Sequence, residues 1–540
     1  MTKIVNVAQM QKIEKDADAN GLTYEMMMEN AGRSIAEAIQ SIFTTMEGLR
    51  VAILVGPGNN GGDGLVMGHY LLTAGAEVTA ILSKPRKETD ANLARLLSEG
   101  GEVFNADEKR NLGRSIKSAD LFVDALLGTG FRLPLRGSAK DTLEAVHRQL
   151  EKMENPPFVV AVDCPSGLDC DTGEVAEVCI PADVTITLAA VKTGLIRFPG
   201  SNFTGEIVVG DIGLPDKQKL MRKIKVEFAT VNELRTLLPE RPRDGHKGTF
   251  GTVLVVGGSI NYPGAVGLCG MGAYRVGAGL VTLAVPGPIQ GYLVPLLPEA
   301  TWIVLPHDLG AINEGATDIL HREMARIACL VLGPGMGLEK TTGIFMDKFL
   351  SVNAEGTRER IGFITEAARD GGETVSELPP FVIDADGLKL LNDIEAWSSR
   401  IPDKSILTPH PGEMAVLTGE SISDIQGDRI ASALKWAKVW GHVVVLKGAH
   451  TVVASPDGRA MVMPFANSAL AHAGTGDVLA GAISGIRAQG IEPYESAVLG
   501  AFIHGKAGLL AADFIGAEEG VLASDVADAI PMALWEIRSD

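Results

Sequence analysis

The 540-residue chain is short of several things at once. Aromatic residues make up 5% and there are five cysteines, Cys164, Cys170, Cys179, Cys269 and Cys329. They are too few and too irregularly placed for a disulfide framework, and none forms a C-x-x-C pair, which fits a reduced, cytoplasmic setting. Positive charge is also scarce: 48 Lys and Arg against 67 Asp and Glu leave a net charge of -19 and a pI near 5.1. Such a field repels polyanions and argues against nonspecific binding to nucleic acid or anionic membrane. Any phosphate must be held by local backbone donors and a few cations. The first residues, "MTKIVNVAQMQKIEKDADANG", lack the basic region and apolar core of a signal peptide, and no uncharged apolar run is long enough to span a bilayer.

What is present is a globular composition, 46% hydrophobic and 21% charged. The length exceeds the roughly 250 to 300 residues at which one core stops growing, so two or more domains are expected. Short apolar strands alternate with glycine-rich turns and helical patterns, which predicts an α/β class with mainly parallel sheets. In the first half the strands read "VAILVG", "EVTAILS", "LFVDALLG", "FVVAVD", "VTITLAA" and "EIVVGDIG", preceded by an amphipathic helix, "TYEMMMENAGRSIAEAIQSI", whose Met26 to Met28 are expected in the core. After Pro215 the chain turns lysine-rich and loses its strand pattern. A second series starts at "GTVLVVGGS" and runs through "GLVTLAVP", "CLVLGPGMG", "FVIDADGL", "SILTPH", "HVVVLKG" and "TVVASPDG". The boundary is placed near residues 216 to 228, giving domains 1–220 and 221–540. The polar stretch at 351–380 reads as a surface excursion.

In "LVGPGNNGGDG", Gly56, Gly58 and Gly61 spell the dinucleotide fingerprint G-x-G-x-x-G between a strand and a helix. A dehydrogenase would also carry an acidic residue at the far end of the second strand. Glu77 lies at the wrong end of that strand, and the far end is Ser83 to Arg86, so a redox reading is weakened. Polar residues sit at other strand ends: Asp124 in "LFVD", then Asp163 and Ser166 in "DCPSGLD". Singly, each reads as a turn or cap residue. As a set, Asn60, Asp63, Asp124, Asp163 and Ser166 can converge on the crevice at the carboxyl ends of a doubly wound sheet. Their amide, carboxylate and hydroxyl oxygens suit Na⁺, K⁺, Mg²⁺ or Ca²⁺ rather than zinc. The loop "GTGFRLPLRG" adds backbone donors and arginines, and Lys192 in "AAVKTG" stands at a strand end as a candidate anion contact.

The second half lacks Walker A; "GPGMGLEKT" misses its spacing. It has instead "NSALAHAGTGDVLAGAISG", in which Gly474, Thr475 and Gly476 can aim backbone N–H groups at an anion before an apolar helix. Asp477 follows, placed to take a proton from a hydroxyl or, more plainly, to cap the helix.

In order and spacing, "GPGNNGGDG", "VDALLGTGF" and "DCPSGLD" resemble the epimerase domain of the bifunctional NAD(P)H-hydrate repair enzymes. "YPGAVGLCGMGAYRVGAGLV", "LVLGPGMG", "FVIDADGL", "LTPHPGEMAVLTG", "LKGAHT" and the G-T-G-D loop resemble their dehydratase domain. The resemblance implies a Rossmann-like first domain and a ribokinase-like second. It places Asn59, Asn60, Gly61, Gly62, Asp63, the loop Gly128, Thr129, Gly130, Phe131, Arg132, Leu133, Pro134 and also Asp163 on the hydrated nucleotide. Asn60, Asp124 and Ser166 would hold K⁺. Ala265, Gly335, His410 and Asp477 would line the dehydratase substrate site, with Lys447, Gly448, Ala449, His450, Thr451 and Gly476 on the adenine nucleotide. Mg²⁺ is expected to neutralise charge in phosphoryl transfer.

The implied substrates are hydrated NADH and NADPH, NADHX and NADPHX, with ADP or ATP as co-substrate and a homo-oligomer as the assembly. The C6 hydroxyl lies next to a ring nitrogen, so R and S forms can interconvert by loss and return of water, with Asp163 moving the proton. Hydroxide is a poor leaving group, so the dehydratase would phosphorylate that hydroxyl, with Asp477 as base and the G-T-G backbone stabilising charge. AMP and phosphate would be released. Two other classes fit parts of the pattern: a ribokinase-like small-metabolite kinase, which leaves the first domain unexplained, and a nucleotide-binding module with an idle first domain.

Overall fold

The computed structural model describes residues 2–87, 89–215, 218–355 and 378–539. The chain forms two compact units, Thr2–Phe228 and Ala229–Asp540. Most of the polar stretch at 351–380 lies outside the described residues.

The first unit is wound around a parallel sheet in the spatial order Glu102–Asn105, Glu77–Leu82, Arg50–Val55, Leu121–Ala125, Phe158–Val162, Val184–Leu188 and Glu206–Gly210. Numbered along the chain this is 3-2-1-4-5-6-7, the Rossmann winding, and its order reverses between Arg50–Val55 and Leu121–Ala125. Val51 to Val55 and Leu121 to Ala125 are buried throughout, as expected for strands covered by helices on both faces. The register pairs Leu54 with Asp124, setting that carboxylate at the reversal point.

The helix Tyr24–Ile42 opens on a Thr23 cap and buries Met27, Ala31, Ile35 and Ile39, a spacing of about one turn. Of the three adjacent methionines only Met27 is buried, while Met26 is exposed. Successive helical residues point about 100° apart, so three in a row cannot all face one core. The lysine-rich segment read as strandless supplies a strand, Val226–Phe228. It pairs antiparallel with Thr2–Val5, which runs parallel to Val191–Lys192 on its other side. These edges are too short to show an alternating pattern.

The second unit centres on a sheet ordered Thr301–Leu305, Leu280–Pro286, Thr252–Val256, Cys329–Leu332, Phe381–Ile383, Ile406–Leu407, Val443–Leu446, Val452–Ala454 and Ala460–Val462. All pairs are parallel up to Val443–Leu446, and the last two strands are antiparallel. The order reverses between Thr252–Val256 and Cys329–Leu332. Helices Pro263–Arg275 and Thr475–Ala488 pack closely over it; a Cβ on Gly481 would lie 1.9 Å from the carbonyl oxygen of Cys269. The helix Pro493–Ile515 is long and apolar enough to cross a membrane by length and composition. It carries Glu495, Lys506 and Asp513 and packs between Thr475–Ala488 and Ala523–Ser539 as a core helix.

Candidate active sites

In the first unit the glycine loop links the strand Arg50–Val55 to the helix Asn59–Thr73. A Cβ on Gly56 would lie 1.8 Å from the Leu126 oxygen, and one on Gly61 2.0 Å from the Gly56 oxygen. Two of the fingerprint glycines are therefore required by chain packing, while a Cβ on Gly58 would meet open space, where a ligand can approach. Gly58 caps the helix without a side chain, so first-turn N–H groups stay available to an anion.

Asn60 is buried, 7% exposed, and neither polar atom of its amide has a hydrogen-bond partner among the described residues. It lies against Gly128, whose added Cβ would be 3.2 Å from that of Asn60. Asp124 is 1% exposed; Oδ1 accepts from the Ser166 hydroxyl at 2.6 Å and Oδ2 from the Ser166 N–H at 2.8 Å. Burial pushes the Asp124 carboxyl above its ordinary range, against the pull of these hydrogen bonds. Thus Asn60, Asp124, Ser166 and the start of the Gly128 loop meet at the reversal point. Leu133 and Pro134 instead line a hollow of ≈ 210 Å³ with Lys140, Leu143 and Val178, whose lining contains none of Asn59 to Asp63 and not Asp163.

Asp163 follows the strand Phe158–Val162 with φ at 65°, a left-handed backbone that Asp tolerates better than most residues. Its Oδ1 forms a close ion pair with Lys192 and accepts the Leu188 N–H at 3.2 Å and the Thr187 hydroxyl at 3.5 Å. Lys192, 1% exposed, also donates to Thr187 Oγ1 at 3.1 Å and the Leu188 carbonyl at 2.8 Å. Its three N–H groups are all used within the protein, so it is not the free anion contact expected of it. Asp63, 8% exposed, sits among these charges: burial, Asp163 and Glu14 push its carboxyl well above the ordinary range, with Lys192 opposing. Glu14, from the helix Val7–Ala19, is pushed up too, first by burial. No sequence motif marks Glu14, one polar residue on an ordinary amphipathic helix.

In the second unit, a cavity of ≈ 430 Å³ is lined by His410, Lys447, Gly448, Ala449, Thr451 and Gly476, together with Phe465, His472 and His504. Gly474, at φ 92°, caps the helix Thr475–Ala488 without a side chain, so Asp477 lies in the first turn and is not the cap. Lys447 Nζ lies 2.5 Å from Asp384 Oδ1 and 3.6 Å from Glu413 Oε2. Asp477 lies beside this cluster; burial first, then Asp384, raise it to about 8, with Lys447 opposing.

His410 caps the helix Pro411–Thr418, its Nδ1 accepting N–H groups of Gly412 at 2.9 Å and Glu413 at 3.3 Å. Burial holds its imidazole below the ordinary range, against Glu413, so at neutral pH its proton is on Nε2. Ala265 and Gly335 meet each other at the sheet reversal, an added Gly335 Cβ lying 2.9 Å from that of Ala265, and neither lines the cavity. His450 is turned inward, with Nδ1 3.1 Å from the Met463 carbonyl, and is absent from the lining; burial lowers its pKa to about 4. Beneath the 447–448 turn, Arg429 donates to the Leu446 and Lys447 carbonyls at 2.9 and 3.1 Å. Asp384, directly after the strand Phe381–Ile383, joins the site without a motif of its own, although it carries the same strand-end signal as Asp124 and Asp163.

The second unit therefore presents a ligand cleft at strand carboxyl ends, and both units carry a helix start open to anions and an Asp paired to a lysine. This defines a two-domain α/β enzyme built for anionic nucleotides and proton transfer. Residues 24–194 match the family described as YjeF-related protein N-terminus, and residues 253–356 and 371–532 match NAD(P)H-hydrate dehydratase. The chain is 37% identical to the bifunctional NAD(P)H-hydrate repair enzyme of Moorella thermoacetica over 99% of this chain and 97% of that protein. It is 33% identical to that of Escherichia coli, over 94% of this chain and 89% of that protein. Among solved structures, the ADP/ATP-dependent NAD(P)H-hydrate dehydratase of Bacillus subtilis, co-crystallized with ATP/Mg²⁺, is 28% identical, with a TM-score of 0.44, over 57% of this chain and 98% of that one. The chain belongs to the family of bifunctional NAD(P)H-hydrate repair enzymes.

Proposed function

We propose that this chain repairs hydrated NADH and NADPH, interconverting the R and S forms in Thr2–Phe228 and dehydrating the S form in Ala229–Asp540 with ADP or ATP. The observation that carries this reading is the presence, in one chain of this family, of two separate acid–base clusters, around Asp163 and around Asp477. A cytoplasmic homo-oligomer remains part of the reading.

In the epimerase the open helix start at Asn59 to Gly61 and the Gly128 loop would take the nucleotide's phosphates, leaving Asp163 to move a proton at the C6 oxygen. K⁺ suits Asn60, Asp124 and Ser166, because the donors are all hard oxygens and the Asn60 amide has no hydrogen-bond partner among the described residues. Bound there, K⁺ would supply a fixed positive charge beside the nucleotide.

In the dehydratase Asp477 would take the C6 hydroxyl proton, and the N–H groups at Gly474 to Gly476 would stabilise the charge developing on the transferred phosphoryl group. Lys447, Gly448, Ala449 and Thr451 would face the adenine nucleotide, and His410 the hydrate. Asp384, Glu413 and Asp477 concentrate negative charge around Lys447, and Asp386 beside them is paired to Lys389 at 3.1 Å, so carboxyls outnumber lysines and an anionic nucleotide fits best with a cation. Mg²⁺ would supply that neutralisation.

The test is recovery of nicotinamide absorbance from mixed R and S hydrate, with ADP and ATP in parallel and free phosphate measured. Stable phosphorylated product without NADH would instead support a metabolite kinase. Asp163→Ala should abolish interconversion and spare dehydration of the S form, and Asp477→Ala the reverse; equal loss of both activities in either variant would overturn the division of labour.

A further inference from the structure

Epimerisation by loss and return of water needs two opposite proton transfers: one to the departing oxygen, one from the returning water. Inversion at C6 brings the returning water to the opposite face, so the two transfers are made on opposite sides of the ring, which two carboxyls serve more directly than one. Two carboxyl groups with opposed surroundings meet in the first unit: Asp63 on the helix Asn59–Thr73, which packs against the strand Phe158–Val162, and Asp163 directly after that strand. Asp163 is held by an ammonium and two further donors, all on Oδ1, which leaves Oδ2 without a protein partner among the described residues. Asp63 is the contrary case. It is 8% exposed, accepts no hydrogen bond from the described residues and has no cation of its own, since the ammonium of Lys192 is committed to Asp163, Thr187 and Leu188. Such surroundings favour the neutral form of a carboxyl.

Resting on the repair reading above, we propose that Asp63 is a second catalytic residue of the epimerase, the acid that pairs with Asp163 as base. The Asp63 carboxyl gives its proton to the C6 oxygen as the C–O bond breaks and the ring-nitrogen lone pair forms a C=N bond. Water then adds to C6, the C=N electrons return to nitrogen, and Asp163 takes the water's proton. Passing that proton from Asp163 to Asp63 restores the starting pair, with no net consumption. The charged and titratable groups facing Asp63 are Asp163, Glu14 from the helix Val7–Ala19, and Lys192 from the strand Val191–Lys192. Glu14 and Asp163 add to the bias toward a neutral Asp63.

The test uses the full chain and pure R hydrate. For the unaltered enzyme, kcat/KM of interconversion should fall on both sides of an optimum, the alkaline fall reporting loss of the Asp63 proton. Asp63→Asn should lower kcat by about 10²- to 10⁴-fold with KM little changed, remove the alkaline limb from the residual rate, and leave S-form dehydration intact. Asp63→Glu should recover part of the rate and the limb. An Asp63→Asn protein with the unaltered thermal transition that epimerises within about threefold of normal, or changes KM alone, would overturn the proposal. So would an unaltered enzyme with no alkaline limb, which needs no folded variant. Should the unaltered chain not interconvert the hydrates at all, it is the repair reading that fails.

Discussion

Lys447 places its ammonium 2.5 Å from Oδ1 of Asp384, each residue directly following a strand, Val443–Leu446 and Phe381–Ile383, whose carboxyl ends frame the dehydratase cleft. Glu413 lies 3.6 Å from the same nitrogen and is 4% exposed, and Asp384 is 1% exposed. Two buried carboxyls therefore share one cation. Lys447→Met should destabilise the second unit by about 3 to 5 kcal/mol, the usual cost of leaving buried charge unpaired, and should abolish dehydration. Interconversion of R and S hydrate should survive. Thermal unfolding run alongside both assays checks this, and a variant of unaltered stability would contradict the ion-pair role.

Asp477 is the carboxyl that Lys447 does not fully compensate, and its pKa of about 8 has two consequences. As a base it must be ionised, so kcat/KM for S-form dehydration should climb with pH and level off above about 8. The stability effect runs the other way. A carboxyl raised in the folded state contributes its full stability below the unfolded value near 4, and that contribution is lost as pH rises through the folded value. Asp477→Asn should therefore match the unaltered protein near pH 4 and exceed it at about pH 9 by a few kcal/mol, of order 1.36 per pKa unit. Urea unfolding at the two pH values measures the difference; equal stability on the alkaline side contradicts it.

The sequence carried the backbone of these sites better than their charge pairing. Strand-end aspartates were legible because a polar residue closing an apolar run has few structural alternatives, and the glycine loops because their spacing is local. The lysine partners were not legible. Lys192 reaches Asp163 from a two-residue strand whose place is set by pairing with Val5, and Lys447 reaches Asp384 across sixty-three positions of sequence. Glu14 faces the epimerase cluster from a helix that no motif marks. His450 shows the converse failure: its motif neighbours line the cleft, but its own φ of 49° turns the ring into the core.

Asn60 offers a direct test of the proposed K⁺ site. Its amide has no hydrogen-bond partner among the described residues and lies against Gly128, in the loop that follows the strand Leu121–Ala125. Adding K⁺ to protein held in a bulky organic cation should raise the thermal transition of the full chain and accelerate interconversion. Asn60→Leu should remove both responses while S-form dehydration keeps its rate. Retention of the K⁺-dependent thermal shift in Asn60→Leu would place the ion elsewhere.

Lys192 gives the last test, because its ammonium spends all three donors on Asp163, Thr187 and Leu188. If its task is to hold Asp163 in place, Lys192→Met should lower kcat for interconversion with KM for the hydrate nearly constant. A phosphate contact would do the opposite, raising KM with kcat nearly constant. The substitution also leaves the buried Asp163 carboxyl without its ammonium, so the unfolding midpoint should fall. Measuring kcat, KM and the unfolding midpoint of the variant separates positioning of the base from substrate binding.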